Sequence, residues 1–167
     1  MRQRAIKAAV AATAAVSAFI IAWMLWPRPA TAAPPRARQY LDASACLLTG
    51  SSGVTPGTPG AQAWHAMQSA SLASHVMVSY LPSTGPADVP ALLNTLVERR
   101  CGVIVVTAAA RIQVTGVAKA NPGRRFIVVT SGAAAGSAAV PPNTVVVPVA
   151  DASGRIDREL TALAGTA

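Results

Sequence analysis

The stretch Val89-Pro-Ala-Leu-Leu-Asn-Thr-Leu-Val-Glu-Arg-Arg-Cys-Gly-Val-Ile-Val-Val-Thr107 changes its period halfway along. Val89, Leu92, Leu93, Leu96 and Val97 fall at i, i+3, i+4, i+7 and i+8, which puts them on one face of a helix. From Gly102 the pattern becomes an unbroken aliphatic run, Val103-Ile-Val-Val106. Such a run is apolar on both faces of a strand, as in a parallel sheet covered by helices on both sides. The stretch therefore predicts a helix over 87–100 feeding a strand over 102–107.

The same alternation extends in both directions. Ala45–Thr49 is an apolar strand. Gly60–Ala73 reads as a helix, with Ala63, Trp64, Met67 and Leu72 near helical spacing. His75–Leu81, rich in Val and Tyr, is a second strand. Ala109–Ala120 is a weaker helix that stops at Asn121-Pro122-Gly123. Arg125–Thr130 and Thr144–Val149 are further strands, and Arg155–Ala164 closes the chain as a short helix. Strands alternating with helices predict an α/β fold. Right-handed crossovers then leave few topologies, and five strands fit a flavodoxin-like parallel sheet in the order 2-1-3-4-5 with helices on both faces. Ligands of such sheets sit beyond the carboxyl ends of the strands, at the switch point between the first and third. The Gly50–Gly60 loop leaves the first strand there, and Thr107 ends the third.

Residues 42–167 form this single domain, and what precedes them is of another kind. Arg2, Arg4 and Lys7 come first, and Ala8–Trp26 then runs nineteen residues without a charge. As a helix it would be about 28 Å long, close to the thickness of a bilayer core. Its length and its end, with Trp23 and Trp26, favour a retained anchor, while Ala30-Thr31-Ala32 offers a cleavage site for a signal peptide. Segment 1–26 is thus an N-terminal hydrophobic helix, either signal or anchor, and 27–41 is a Pro/Ala/Arg linker. The order basic, apolar, small is that of an export signal. It predicts a domain at the cell membrane on the extracytoplasmic side, or secreted.

Charge sorts the same way. The chain carries a net +8, but six of its fourteen Lys/Arg precede residue 39. The remainder has eight Lys/Arg against six Asp/Glu, a net of +2. A domain so near neutrality has no broad footprint for nucleic acid.

Three pieces of the chain are similar to the N-terminal lobe of the basic-membrane-protein family, exported solute-binding proteins of ABC importers with the type 1 periplasmic-binding fold. They are Leu48-Thr49 with the loop to Ala63-Trp64; Leu92-Leu-Asn-Thr-Leu-Val97 before Gly102-Val-Ile-Val105; and Val117-Ala-Lys-Ala-Asn-Pro122 before Arg125-Phe-Ile-Val-Val129. The resemblance runs from about Ala45 to Gly132. It implies a small-molecule ligand at Thr49, Gly50, Ser51, Ser52, Thr107 and Ser131, with an ABC importer or another surface protein as partner. Family members place an Asp after the first-strand Thr, where Gly50 stands. They carry Ser-Phe-Asn late in the loop, where Thr58-Pro59-Gly60 stands. The second lobe of such proteins has no counterpart in this sequence. The nucleoside-binding groups are therefore largely replaced by hydroxyls: Thr49, Ser51, Ser52, Thr55 and Thr58.

Other chemistry finds little support. Gly50, Gly53, Gly57 and Gly60 match neither G-x-G-x-x-G nor a nucleoside-triphosphate loop. His65 and His75 are the only histidines, one on a helix and one at the amino end of a strand. The carboxylates Asp42, Asp88, Glu98, Asp151, Asp157 and Glu159 are scattered over turns and helix ends. No metal site, cofactor or catalytic residue is expected, and the chain reads as a non-enzyme. Arg99-Arg100 and Arg124-Arg125 precede strands and belong to the amino edge, as a solvated rim or a docking patch.

Cys46 and Cys101 start the first and third strands, which are neighbours in the expected order. Export favours a disulfide between them if they are level. Yet Thr49 lies three residues after Cys46 and Thr107 six after Cys101. If the threonines end their strands at one height, the cysteines are too far apart and remain two buried thiols. Two functions follow: a solute-binding-like lobe, with a polar pocket at the residues above, or a cell-surface interaction module, with an exposed apolar or basic patch instead.

Overall fold

The computed structural model describes residues 40–107, 111–132 and 140–167. The segment 1–26 and most of the linker lie outside them. Chain order is β1 (Ser44–Thr49), α1 (Pro59–Ser74), β2 (Met77–Pro82), α2 (Val89–Glu98), β3 (Val103–Val106), α3 (Arg111–Ala120), β4 (Arg125–Thr130), β5 (Thr144–Pro148) and α4 (Val149–Ala164). The five strands form one sheet in the order β2-β1-β3-β4-β5, all parallel, as the alternation predicted.

Strand periodicity divides the core in two. Ala45, Leu47, Val103, Val105, Ile127 and Val129 face one side, where Ala63 and Met67 of α1 and Ile156 and Leu160 of α4 cover them. Cys46, Leu48, Ile104, Val106, Phe126 and Val128 face the other, under Leu93 and Leu96 of α2 and Val114 and Ala118 of α3. The central strand β3 buries every side chain, which explains why it reads as four aliphatics without alternation.

Three expectations change at element ends. The last helix starts at Val149, not Arg155, with no loop after β5. Pro148 cannot donate a ladder hydrogen bond, so the strand stops there, and its extended conformation sets the cap of the helix. Val149, Ala152, Ile156 and Leu160 then supply one apolar stripe. His75 belongs to no strand: it caps α1 in the left-handed region at φ 60°, its N–H on the Ser71 carbonyl. Cys101 is likewise not part of β3. Arg100 adopts φ 61°, its N–H bonds the Val97 carbonyl and the Cys101 N–H bonds the Leu96 carbonyl. This is a Schellman closure of α2, and it lays Cys101 across the helix-covered face of β1.

There Cys101 and Cys46 form a disulfide with a Cα–Cα distance of 5.8 Å. Cys46 is 2% and Cys101 0% exposed, so the bond is a core element. Beyond β4, buried Asn143 directs its amide nitrogen at the carbonyls of Ala118, Asn121 and Arg124, each at 3.0 Å. It ties the start of β5 to the end of α3 and the following turn.

Candidate functional site

The expected site lies where β1 ends. From Gly50 the chain folds as successive tight turns: Gly53 N–H to Gly50 O at 2.9 Å, Thr55 N–H to Ser52 O at 3.2 Å, and Thr58 N–H to Thr55 O at 3.2 Å. Gly53 and Gly57 take φ values of 59° and 86°, which the turns require. The hydroxyls serve the same turns. Thr55 donates to Ser52 O at 2.6 Å and Thr58 to Thr55 O at 2.7 Å. Thr58 also accepts the Ala61 N–H at 3.1 Å, filling the N-cap of α1, and Pro59 follows at the first helical position. A side chain at Gly60 would run into the Gly53 carbonyl and stand 3.1 Å from Thr49 Cγ2. The loop therefore lies down on the first turn of its own helix, where an anion would otherwise sit.

Thr49 is fully buried below this loop. Its carbonyl accepts the Ser83 N–H at 2.9 Å, and its hydroxyl has no hydrogen-bond partner. Gly50 is half-buried, while Ser51 and Ser52 are exposed on the loop. Thr107, half-buried, follows β3 and donates its N–H and hydroxyl to Leu48 O at 3.0 and 3.4 Å. Ser131 is exposed just beyond β4. The six residues thus share the carboxyl rim, but of their hydroxyls Thr49 is sealed in, Thr107 is held by backbone, and the three serines face solvent.

Beside this loop, the end of β2 carries a feature that scanning for paired carboxylates missed. Asp88 accepts the Ser83 hydroxyl at 2.7 Å, the Thr84 hydroxyl at 2.7 Å and the Thr84 N–H at 2.8 Å. The Ser83 hydroxyl first, then Thr84, hold its carboxyl well below the usual range, at about 2. A carboxylate so stabilised is a turn lock and a poor base. The signal for it was Ser83-Thr84-Gly85 leading to an Asp ahead of a helix, a pattern of local side-chain-to-backbone bonding.

A second missed feature is a groove of about 500 Å³ along the β5 edge and α4. Val145 and Val147 line it together with Asp151, Arg155 and Arg158. Arg155 pairs with Glu159 at 2.6 Å, and its Nε is buried without a hydrogen-bond partner. Placing the last helix too late hid this groove, because its near wall is the first two turns of α4.

His65 is exposed on α1, and His75 sits at the amino rim, as do Arg99, Arg100 and Arg124. Among the described residues no three His, Cys, Asp or Glu side chains gather where they could hold a metal, and no helix is long and apolar enough to cross a membrane.

Neither a family model nor a curated protein matches the chain. Among solved structures, a fragment described as a "putative lipoprotein" from Peptoclostridium difficile 630 superposes with a TM-score of 0.59 at 16% identity. The match covers 74% of this chain and 97% of that one. At that identity the likeness is one of fold.

Proposed function

We propose that the chain is an exported protein, membrane-held or secreted, whose α/β domain acts by recognition and without catalysis, as an interaction module at the cell surface. The buried Cys46–Cys101 disulfide carries this reading. Such bonds persist in oxidising compartments and are rare where thiols are kept reduced. The basic-apolar-small order of residues 1–32 supports it independently, and the Peptoclostridium difficile fragment, by the description it bears, agrees with it. Recognition of a protein surface fits better than capture of a solute because the loop at the expected cradle satisfies its own polar groups and caps α1 with Thr58. Descent from a solute-binding lobe of the basic-membrane-protein family belongs to the same proposal. So does proximity to an ABC importer: the element order fits, and the replaced loop residues fit a lobe that kept its fold and lost its nucleoside.

One observation favours a second reading, weak solute binding. The sealed Thr49 hydroxyl lacks a partner, and a polar ligand under a lifted Gly50–Thr58 loop would supply one.

The test is made on the full chain in its own membrane. Protease added to intact cells should digest residues 40–167, and intact mass without reductant should show no free thiol. Protection from protease together with two free thiols would overturn export. A thermal-shift panel of nucleosides, sugars, phosphate and nucleotides should then leave the midpoint unmoved. A saturable rise with one class would replace the interaction module by solute binding.

A further inference from the structure

The strand β2 closes one edge of the sheet, and nothing in the described fold lies over its outer side. Met77 donates its N–H to Ala43 O and Ser83 its N–H to Thr49 O. In a parallel ladder, then, the odd-numbered residues of β2 face β1. The N–H and C=O groups of Val78 and Tyr80 point outward. Edge strands in native proteins are normally blunted by charge, proline or a bulge. From His75 to Leu81 there is no Asp, Glu, Lys, Arg or Pro, and Pro82 comes only at the end. The strand is apolar as well as open: Met77 and Tyr80 are 42% and 44% exposed. Trp64 of α1 holds the Tyr80 ring edge-on, with centroids 5.2 Å apart, so the ring is fixed beside the free edge.

We propose that β2 is a self-association surface whose occupant is β2 of a second copy, paired antiparallel about a two-fold axis at Ser79. The sequence of the strand is self-complementary in that register. Val78 stands opposite Tyr80 of the second copy and Tyr80 opposite Val78, and all four outward groups of each strand find partners. On the α1 side this pairs an aromatic with a β-branched residue twice, a favourable cross-strand combination. On the other side Met77 meets Leu81, and Ser79 meets its own equivalent at the axis. No like charges face each other, because the strand has none. The product is a continuous ten-stranded sheet with the helices of both copies on matching sides. This inference does not depend on what the domain recognises.

The experiment compares the wild-type full chain in detergent with Val78→Pro and Ser79→Lys. Proline at 78 removes an N–H that β1 does not use, which an edge strand tolerates. Lysine at 79 places two like charges face to face on the axis. Sedimentation equilibrium should give a wild-type dimer that dissociates on dilution, with amide exchange at Val78 and Tyr80 slowing as concentration rises. Each variant should weaken the dimer by about tenfold or more while keeping the wild-type circular dichroism. If Val78→Pro fails to fold, Ser79→Lys carries the comparison alone. A wild-type chain that stays monomeric throughout overturns the proposal, even if β2 captures a strand from another protein. A dimer that the folded variants leave intact also overturns it, since residues 8–26 or another face must then hold it.

Discussion

Cys46 is bonded to Cys101 although it stands opposite Ile104 in the sheet, three residues further along the chain than its partner. The offset that argued against pairing is real. It is bridged because Cys101 is not a strand residue: the left-handed turn at Arg100 lays it flat on the β1 face, within 5.8 Å of Cys46 measured between Cα atoms. Levelness along two strands was the wrong criterion, since one cysteine approaches the sheet from above.

Reducing this bond should cost much of the domain's stability. The cysteines are 55 residues apart, and closing a loop of that size restricts the unfolded chain by about 4 kcal/mol in the chain-entropy model. Urea unfolding of oxidised protein and of a Cys46→Ala/Cys101→Ala variant measures the difference. A gap under about 1 kcal/mol would mean that the unfolded chain is already restrained there.

Acid should weaken the turn after β2. The Asp88 carboxyl is held at about 2 when folded, against an ordinary 3.8, chiefly by the Ser83 hydroxyl. A lowered folded value means that its contribution is complete above the ordinary value and is lost as pH falls through the folded one. Wild-type protein should therefore lose stability relative to Asp88→Asn between pH 3.8 and about 2. Parallel pH profiles for the two proteins would show that the carboxylate does not hold this turn.

Gly60→Ala should destabilise, against the usual gain of alanine in a helix. Its methyl group would meet the Gly53 carbonyl, which is backbone and cannot step aside without lifting the loop. A cost of about 1–3 kcal/mol is expected, in place of a gain of about 0.5–1 kcal/mol. Thermal unfolding decides the sign.

Asn143→Leu should also be costly. It keeps the branched shape but removes the amide that reaches the carbonyls of Ala118, Asn121 and Arg124, of which the first two keep the backbone N–H groups of Asn121 and Arg124. Losing these hydrogen bonds, with the Arg124 carbonyl deprived of its amide donor, costs about 1–3 kcal/mol, read as a lower urea midpoint. A near-neutral result would mean that water replaces the amide.

Most of the fold was legible because buried parallel strands write themselves as runs such as Val103-Ile-Val-Val106, and the helix before it has a stripe of leucines. Element ends were less so. Val149 to Arg155 looked like a continuation of β5 and a loop because Val favours strands and Asp151-Ala-Ser-Gly154 favours a turn locally, whereas tertiary burial of Ala152 and Ile156 decided for helix. The candidate site was legible in position only. The strand order placed Thr49, Ser51, Ser52, Thr107 and Ser131 together at the carboxyl rim, but hydroxyl direction depends on turn geometry. No periodicity reveals that Thr58 caps a helix or that Thr49 is sealed. The Asp88 lock was hidden for the same reason, its donors lying four and five residues upstream.

The described domain begins and ends on one rim. Leu41 bonds the His75 carbonyl at the amino edge, and Leu163 packs near Gly102 at the foot of β3 on that same edge. The order of elements in the chain is thus separable from their order in space. A circular permutant that joins residue 167 to residue 40 by a short linker and opens at the exposed Ser51–Ser52 would keep all five strands. The register about the disulfide would also be unchanged.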